Sequence, residues 1–251
     1  MEPFRLIPRA AACLRRAVLG LGLLALPAAA ATPLQPLLDA TPAGSTLRLA
    51  PGTYAGPVVI RQPLVLEGGG KASIVGNGKG TVLSVAASGV TLRGLRVSGS
   101  GESHDGVDAG ILLEGDDHRV EDNDIDDVLF GIHLKQVNRS RIAGNRVTGK
   151  ALELGMRGDA VRLWYSQGNL IEGNRFHRAR DLTFANSADN RVIGNSFLDG
   201  RYGMHVIFSP RLLIERNRLE NTGTGIIVLY SPDLVVRGNH VAHALTGGGG
   251  G

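Results

Sequence analysis

The stretch that decides the fold is IEGNRFHRARDLTFANSADNRVIGNSFLDGRYGMHVIFSPRLLIERNRL, residues 171–219. It contains three copies of one short phrase, IEGNRF, VIGNSF and IERNRL, and each copy is centred on an asparagine. Working outward from this stretch, the same phrase recurs at spacings of 22, 29, 21, 22 and 22 residues around Asn123, Asn145, Asn174, Asn195, Asn217 and Asn239. A short and regular period of this kind indicates a repeat architecture.

Apolar residues alternate with other residues inside each repeat. Ile132 and Leu134 precede Asn145 by thirteen and eleven residues. The next four asparagines have equivalent pairs at Val161 and Leu163, Leu182 and Phe184, Met204 and Val206, and Ile226 and Val228. This alternation is typical of β-strands, and so short a unit must stack on its neighbours to bury its apolar face. The sequence therefore predicts an all-β fold, a right-handed single-stranded parallel β-helix of the pectin-lyase-like type, with coils of about 22 residues.

The recurring asparagines have a structural explanation in such a fold. Stacked asparagines bond through their amides from one coil to the next, so we expect a ladder and not a catalytic row. The earlier part of the chain follows the same plan more weakly, with short apolar strands between Gly and Pro turns. Leu34 to Ala40 are predicted to form a short helix that caps the open end of the coils. Residues 46 to 245 have room for about nine coils.

The ends of the chain carry segments of a different character. Residues 1–31 are predicted to be a secretory signal peptide, in which arginines precede an apolar run and small residues follow it. Arg15 and Arg16 leave open whether export is ordinary or of the twin-arginine type. Residues 32–246 are predicted to be the β-helix domain, and 247–251 are a glycine tail without a capping element. Because an uncapped solenoid end exposes apolar surface and promotes aggregation, we expect the chain to be a fragment of a longer solenoid.

Composition and charge exclude several classes of protein. The chain has one cysteine, which excludes a disulfide scaffold and a cysteine-ligated metal site. The formal net charge of +4 falls to +1 when residues 1–31 are removed. Nucleic-acid binding therefore loses its main support. No later stretch is long and apolar enough to span a membrane, so we predict an exported protein without stable membrane insertion, located in the periplasm.

Two of the repeats are longer than the others. The repeat before Asn174 has about seven extra residues around Gly149 to Gly158, and the repeat before Asn123 has a similar excess around Ser98 to Asp108. Both insertions fall after the asparagine strand and before the next alternating strand. We therefore expect two loops that overhang the same side of the solenoid, where repeat proteins usually bind their partners.

The positions between the apolar columns point outward and define a candidate functional face. We expect six residues to cluster on this face under the two loops: Arg162, Trp164, Arg180, Asp181, Tyr202 and His205. Each has an ordinary alternative, because Arg180 and Asp181 are also explained by a surface ion pair, and Trp164 and His205 by isolated surface side chains. Met204 faces inward and is predicted to be core.

A metal site is a more specific interpretation of this face than isolated surface side chains. His133 and His205 share one outward column but lie three coils apart, about 14 Å at the usual strand spacing. Met156 and His104, in the two long loops, would have to complete a site with them. Imidazole and thioether without thiolate suit copper better than magnesium or calcium. We therefore predict copper as the metal, with His205, His133, Met156, Asp181 and His104 as candidate ligands.

Two other function classes remain open. Six aspartates could bind calcium or act as general acid and base in a secreted polysaccharide lyase or epimerase: Asp105, Asp108, Asp122, Asp124, Asp126 and Asp127. Their scatter around turns, without a repeated carboxylate pair, favours solvated corners. No nucleophile elbow, HExxH helix or phosphate-binding glycine loop is present in the sequence, so we assign no catalytic residue. The third hypothesis, beside the copper protein and the polysaccharide enzyme, is a purely structural or adhesive solenoid.

Three phrases carry a resemblance to a known family. GDAVRLWYSQGNLIEGNRF (158–176), RDLTFANSADNRVIGNSFLDGRYGMHVIFS (180–209) and GIIVLYS (225–231) resemble the NosD family, the periplasmic copper-binding maturation proteins of nitrous oxide reductase. The opening LRLAPGTYAGPVVIRQPLVLEGGG is similar to the start of that family and of many secreted β-helix proteins. The block RYGMHVIFS is the most specific of these phrases.

The resemblance implies a non-catalytic protein. Members of that family work with an ABC transporter and a copper chaperone to assemble the copper-sulfur centre of nitrous oxide reductase, so these three are the implied partners. The implied functional face adds Tyr230 to the outward residues already named. Family chains are longer at the C-terminal end, so any part of the docking surface for the transporter or the reductase that lies on those further coils is expected to be missing here.

Overall fold

The computed structural model describes residues 30–243, and these residues form a parallel β-helix with three faces. Almost every strand pairs in parallel with the strand one coil before it and the strand one coil after it. The predicted all-β solenoid is confirmed. The predicted signal peptide, apart from its last two residues, and the glycine tail lie outside the described residues.

Face A and face B are built from short strands that follow each other around a corner. The strands of face A are Thr46–Arg48, Arg119–Glu121, Arg141–Ala143, Leu170–Glu172, Arg191–Ile193, Leu213–Glu215 and Val235–Arg237. Those of face B are Thr32–Pro33, Gly52–Ala55, Asp124–Val128, Arg146–Gly149, Arg175–His177, Ser196–Gly200, Arg218–Thr222 and His240–His243. Two longer strands, Val65–Val75 and Thr91–Ser98, run through the corner and belong to both faces.

Face C is a separate sheet of eight strands. Its members are Val58–Ile60, Leu83–Ala86, Ala109–Glu114, Phe130–Lys135, Val161–Trp164, Asp181–Ala185, Gly203–Ile207 and Gly225–Leu229. The three faces thus contain between eight and ten levels of strands, in agreement with the nine coils expected from the repeat length. Two helical segments complete the described residues, an α-helix at Gln35–Ala40 and a 3-10 turn at Leu154–Met156.

The apolar columns expected from the alternation fill the inside of the coils. Ile132 pairs in register with Val161, and the column continues through Leu182 to Met204, all of them fully buried. Burial of these side chains along the whole solenoid supplies its main stabilisation. The predicted cap is also confirmed, because Leu38 of the Gln35–Ala40 helix is buried against the first coils.

The asparagine ladder forms as expected at the corner between face A and face B. Each side-chain amide donates to the Oδ1 atom of the asparagine one coil further on, at 2.9–3.0 Å, from Asn123 through to Asn239. The same Oδ1 atoms also accept the preceding asparagine's backbone N–H. Gly173, before Asn174, has a φ of 60°, the left-handed conformation that explains the glycine of the repeated phrase.

A second polar ladder, which the repeated phrases do not predict, lies at the corner that follows face C. There the backbone N–H of Ser166 donates to the Oγ of Ser187, and this pattern continues to Ser209 and Ser231. Both ladders satisfy backbone groups that the sheets leave unpaired at corners. Between residues 30 and 243, no helix is long and apolar enough to cross a membrane.

Candidate functional site

The outward column of face C has the register that the sequence predicts. His133 lies beside Arg162, Arg162 beside Thr183, and Thr183 beside His205. The next outward column contains Lys135 beside Trp164. Parallel pairing in register therefore brings together polar side chains that are more than twenty residues apart in the chain.

The two long loops meet beside this face, as expected. His104 Nε2 lies 3.0 Å from the carbonyl oxygen of Met156, and the His104 ring packs edge-on against Phe130 with 5.7 Å between ring centroids. Lys150 Nζ lies 3.7 Å from Glu102, which links the loops a second time. A carbonyl oxygen only accepts, so Nε2 of His104 is the donor in this contact. Met156 is 59% exposed.

A network of charges lies at the start of the face C strands. Asp159 accepts from Arg180 at 3.0 Å and lies 3.5 Å from Arg162 Nη1. Asp181 accepts from Arg201 Nη2 and, at 2.9 Å, from the backbone N–H of Tyr202. Both aspartates are fully buried, while the three arginines are only partly exposed.

The burial of Asp181 corrects its expected place on the outer surface. Its register position faces outward, but Arg201 and the Tyr202 segment of the next coil cover it. Arg180 also lies 3.6 Å from its Oδ2 atom, so the pair is part of a buried network and not a solvated surface ion pair. Both oxygens already have partners, which leaves Asp181 poorly suited to a metal. Burial raises the pKa of the neighbouring Asp159, and the Arg180 guanidinium opposes that shift.

His133 lies in a cleft of about 330 Å³ between the first long loop and face C. The lining residues are Asp105, Gly106, Val107, Leu112, His133, Lys135, Arg162 and Trp164. The His133 side chain is nearly buried and its Nε2 atom has no hydrogen-bond partner. Burial, together with the charges of Arg162 and Lys135, lowers the pKa of His133 to about 4. A neutral imidazole between two cationic side chains is a poor place for a metal ion.

The aromatic residues of the predicted face are distributed over its length. Trp164 is 41% exposed, and the Arg162 guanidinium lies 5.9 Å from its ring centroid. Tyr202 packs edge-on against His205 at 5.8 Å, and Arg201 lies 4.0 Å from the Tyr202 ring centroid. These contacts alternate cationic groups with rings along face C.

Tyr230 lies at the corner that follows face C, outside the charge network. It is 76% exposed, and its ring stacks on Phe208 with 5.0 Å between centroids and an angle of 12°. Tyr230 therefore belongs to an exposed aromatic pair at the corner.

The structure does not gather the five predicted metal ligands into one site. His104 and Met156 come together, whereas Asp181 is in the arginine network, His133 is in the cleft and His205 packs on Tyr202. In the range 30–243, no group of three or more His, Cys, Asp or Glu side chains could hold a metal ion. The aspartates considered for calcium or acid-base chemistry are likewise dispersed: Asp108 accepts from the backbone of Ser103, and Asp127 pairs with Lys150.

Three residues of the candidate site were not predicted as site residues. Asp159 and Arg201 complete the charge network, and Lys135 lines the cleft. A signal for the first two exists in the sequence, because Asp159, Arg180 and Arg201 all come just before the alternating face C segment of successive repeats. The cleft forms only when the first long loop lies over face C, and the repeated sequence pattern does not specify the conformation of that loop.

Comparison with known proteins agrees with this architecture. Residues 80–241 match the family described as Right handed beta helix region. Among curated proteins, the chain is similar to the "Probable ABC transporter binding protein NosD" of Pseudomonas aeruginosa, at 30% identity over 167 residues. The resemblance inferred from the repeat phrases is confirmed by this relative. The match includes 65% of this chain, but the chain spans only 39% of the relative's length.

Solved structures share the fold at lower identity. The Dettilon tailspike protein superposes with a TM-score of 0.58 and 17% identity, over 78% of this chain and 46% of that chain. An alginate lyase from Paenibacillus sp. superposes with a TM-score of 0.55 and 14% identity, over 82% of this chain and 96% of that one. At these identities the likeness concerns the fold alone.

Proposed function

We propose, from the premise that this chain belongs to the right-handed β-helix family, that it is a non-catalytic periplasmic accessory protein that holds copper transiently and docks partner proteins during maturation of nitrous oxide reductase. The similarity to NosD supports the accessory role. The single structural observation that carries the copper assignment is the contact between the two long loops at His104 and Met156.

The loop contact offers the donor types that copper prefers. Nδ1 of His104 has no hydrogen-bond partner among the described residues, and in the neutral ring it carries the lone pair because Nε2 donates to the Met156 carbonyl. Met156 adds an exposed thioether in the same loop contact. Thioether and imidazole donors favour copper over hard cations such as magnesium and calcium. Two ligands on exposed loops also suit a protein that must release its cargo.

The other predicted ligands are less suited to the first contact with copper. His133 lies between Arg162 and Lys135, and the oxygens of Asp181 are taken by Arg201 and the backbone. We propose His205 as the remaining candidate donor on the face, reached by the ion only after the loops.

The partner surface that we propose is the exposed part of face C. Arg162, Trp164, Tyr202 and the Tyr230 corner present arginine and aromatic groups, the residue types that dominate binding energy at protein interfaces. The printed name of the relative refers to binding an ABC transporter. We propose such a transporter as a partner of this chain, together with a copper chaperone and nitrous oxide reductase.

Titration with Cu(I) against a chromophoric chelator tests the copper assignment. We expect His104→Gln and Met156→Leu each to weaken the affinity about tenfold or more, which corresponds to about 1.4 kcal/mol. Met204→Leu is the matched control, because Met204 is fully buried and cannot reach the ion. Equal affinity in all four proteins, or an equal loss in the control, would contradict the proposal.

An assay with uronate polymers tests the alternative, a secreted polysaccharide lyase or epimerase. We expect neither unsaturated products, detected by ultraviolet absorbance, nor a change in the ratio of epimers. Turnover that is lost in Asp159→Asn would replace the accessory role with an enzymatic one. Absence of both copper binding and turnover would favour the purely structural solenoid.

A further inference from the structure

Most arginines of the described residues are engaged by partners. Among residues 30–243, only four arginine side chains make neither an ion pair nor a hydrogen bond: Arg96, Arg146, Arg175 and Arg191. Three of the four, Arg96, Arg146 and Arg175, lie in one outward column of face B. This face is not the one that carries the proposed copper and partner site.

Arg146 and Arg175 are direct neighbours in this column. They pair in register on adjacent coils, so their Cα atoms are about 4.8 Å apart at the usual strand spacing. Both side chains are exposed. Like charges directly opposite each other in a sheet are destabilising. The fold therefore maintains an unfavourable pair on adjacent coils, whereas most other described arginines have an acidic or carbonyl partner.

A shallow groove of about 420 Å³ contains this pair. Its lining residues are Arg146, Thr148, Arg175, Phe176, His177, Ser196 and Leu198. The hydroxyl groups of Thr148 and Ser196 add hydrogen-bond donors beside the guanidiniums. His177 is already engaged, since its Nε2 lies 2.9 Å from Asp199.

No carboxylate of the described residues neutralises the pair. Asp124 precedes Arg146 in the column, but its oxygens lie beyond ion-pair distance from every described arginine. Glu220, on the far side of Ser196, pairs with Arg218. The two guanidiniums of the groove are therefore without a direct ion-pair partner among the described residues.

We propose that this groove, with Arg146 and Arg175 at its centre, docks an acidic segment of a partner protein. Guanidinium groups bind carboxylates through two parallel hydrogen bonds, and two neighbouring guanidiniums can hold one or two carboxylates of such a segment. A carboxylate bound between the arginines offsets their mutual repulsion, so the pair favours the bound state.

The small basic surface formed by the two arginines favours a short acidic protein segment over a long polyanion. The pair occupies two coils and is bounded by Asp124 and Asp126 on one side and by Glu220 on the other. A nucleic acid or an anionic membrane would have to pass these acids, and such partners need a wide basic surface. A short acidic segment fits between them.

This inference goes beyond the proposed function, because it concerns another face and does not depend on copper. A partner that binds face C of this chain could also contact it through the groove on face B. If copper binding fails its test, the arginine groove is unaffected, and the reverse also holds.

Fluorescence anisotropy with a labelled oligoglutamate peptide and the full chain tests the proposal. We expect binding at low ionic strength that weakens with added salt. Arg146→Gln and Arg175→Gln should each weaken it about tenfold or more. Arg191→Gln is the matched control, because Arg191 is also exposed and unpaired but lies on face A.

Stability provides a second readout that separates docking from folding. We expect Arg175→Glu to abolish peptide binding while leaving the melting temperature unchanged or higher, since the new carboxylate can pair with Arg146. Loss of binding to the same degree in Arg191→Gln would overturn the site. Binding of inorganic polyphosphate or of anionic phospholipid vesicles, without binding of oligoglutamate, would overturn the acidic protein segment as its ligand.

Discussion

His104 and Met156, which are 52 residues apart in the sequence, meet where the two long loops cross, with His104 Nε2 at 3.0 Å from the Met156 carbonyl oxygen. This contact holds together the only two long insertions of the repeat region around face C. It also holds the proton of the imidazole on the nitrogen that faces the carbonyl. A single hydrogen bond thus links the position of the loops to the donor atoms proposed for copper.

Removing the imidazole should loosen the loops without unfolding the solenoid. We expect His104→Ala to cost about 1 kcal/mol, because one hydrogen bond and one edge-on contact with Phe130 are lost. Hydrogen exchange should speed up at the Met156 amide, which donates to Glu153 inside the second loop, and stay slow in the face C strands. Unchanged exchange in the loop would show that the two insertions hold their positions independently.

Acid should destabilise the protein through His133. Its pKa falls from 6.5 to about 4 in the folded state, so the folded state favours the neutral ring. Above pH 6.5 the ring is neutral in both states. As the pH falls from 6.5 towards 4, the unfolded chain binds a proton that the folded chain does not, and the free energy of unfolding decreases by up to about 3 kcal/mol.

Denaturant unfolding at neutral and acidic pH measures this effect. We expect His133→Gln to lose less stability between pH 7 and pH 4.5 than the unaltered protein. Burial lowers the pKa of His118 as well, so part of the pH dependence should remain in this variant. His240→Gln, at an exposed position, is the control. Identical pH dependence in all three proteins would contradict the assignment to His133.

The asparagine ladder should be sensitive to single substitutions. Asn174 accepts from the N–H and Nδ2 of Asn145 and donates to Asn195 and to the carbonyl of Ile142. Because Asn174→Ala leaves several of these buried groups unpaired, we expect it to cost about 3 kcal/mol or more. The surface substitution Asn77→Ala should cost less than about 1 kcal/mol, as judged by denaturant unfolding. Similar losses in the two variants would argue against a ladder.

The pair of buried Asp181 and partly exposed Arg201 should be coupled. Asp181→Ala leaves the Arg201 guanidinium and the Tyr202 amide without their acceptor, so we expect a loss of about 1–3 kcal/mol. A second substitution, Arg201→Met, should recover part of this loss. The exposed pair of Asp189 and Arg211 is the matched comparison, and Asp189→Ala should cost less than about 1 kcal/mol. Additive effects of the two changes at Asp181 and Arg201 would disprove the coupling.

The fold was predictable because the same sequence pattern recurs in successive coils. Each coil has the same alternation and the same asparagine, so the pairing of Ile132 with Val161 and the ladder through Asn174 follow from spacing alone. The same spacing and alternation predict that the two long loops lie on one side of the solenoid and that Met204 lies in the core. In a parallel stack the register of neighbouring strands is set by the local repeat, without any need to know the rest of the molecule.

The site was only partly predictable, because burial depends on what covers a residue. The alternation correctly places Asp181 and His133 at outward positions, yet Arg201 covers the first and the long loop covers the second. Alternation specifies the direction of a side chain relative to the sheet, whereas insertions and long arginine side chains follow no repeat.

The sequence by itself determined the solenoid, its coil length, its ladder and the face on which polar residues align, because these depend on short-range periodicity. Only the tertiary structure decided that His104 reaches Met156, that Asp181 is enclosed by arginines, and that Arg146 and Arg175 are left without partners. The first outcome depends on the conformation of two insertions, and the other two depend on side chains from different coils competing for the same few acidic groups. Such competition is settled by three-dimensional distance and not by position in the repeat.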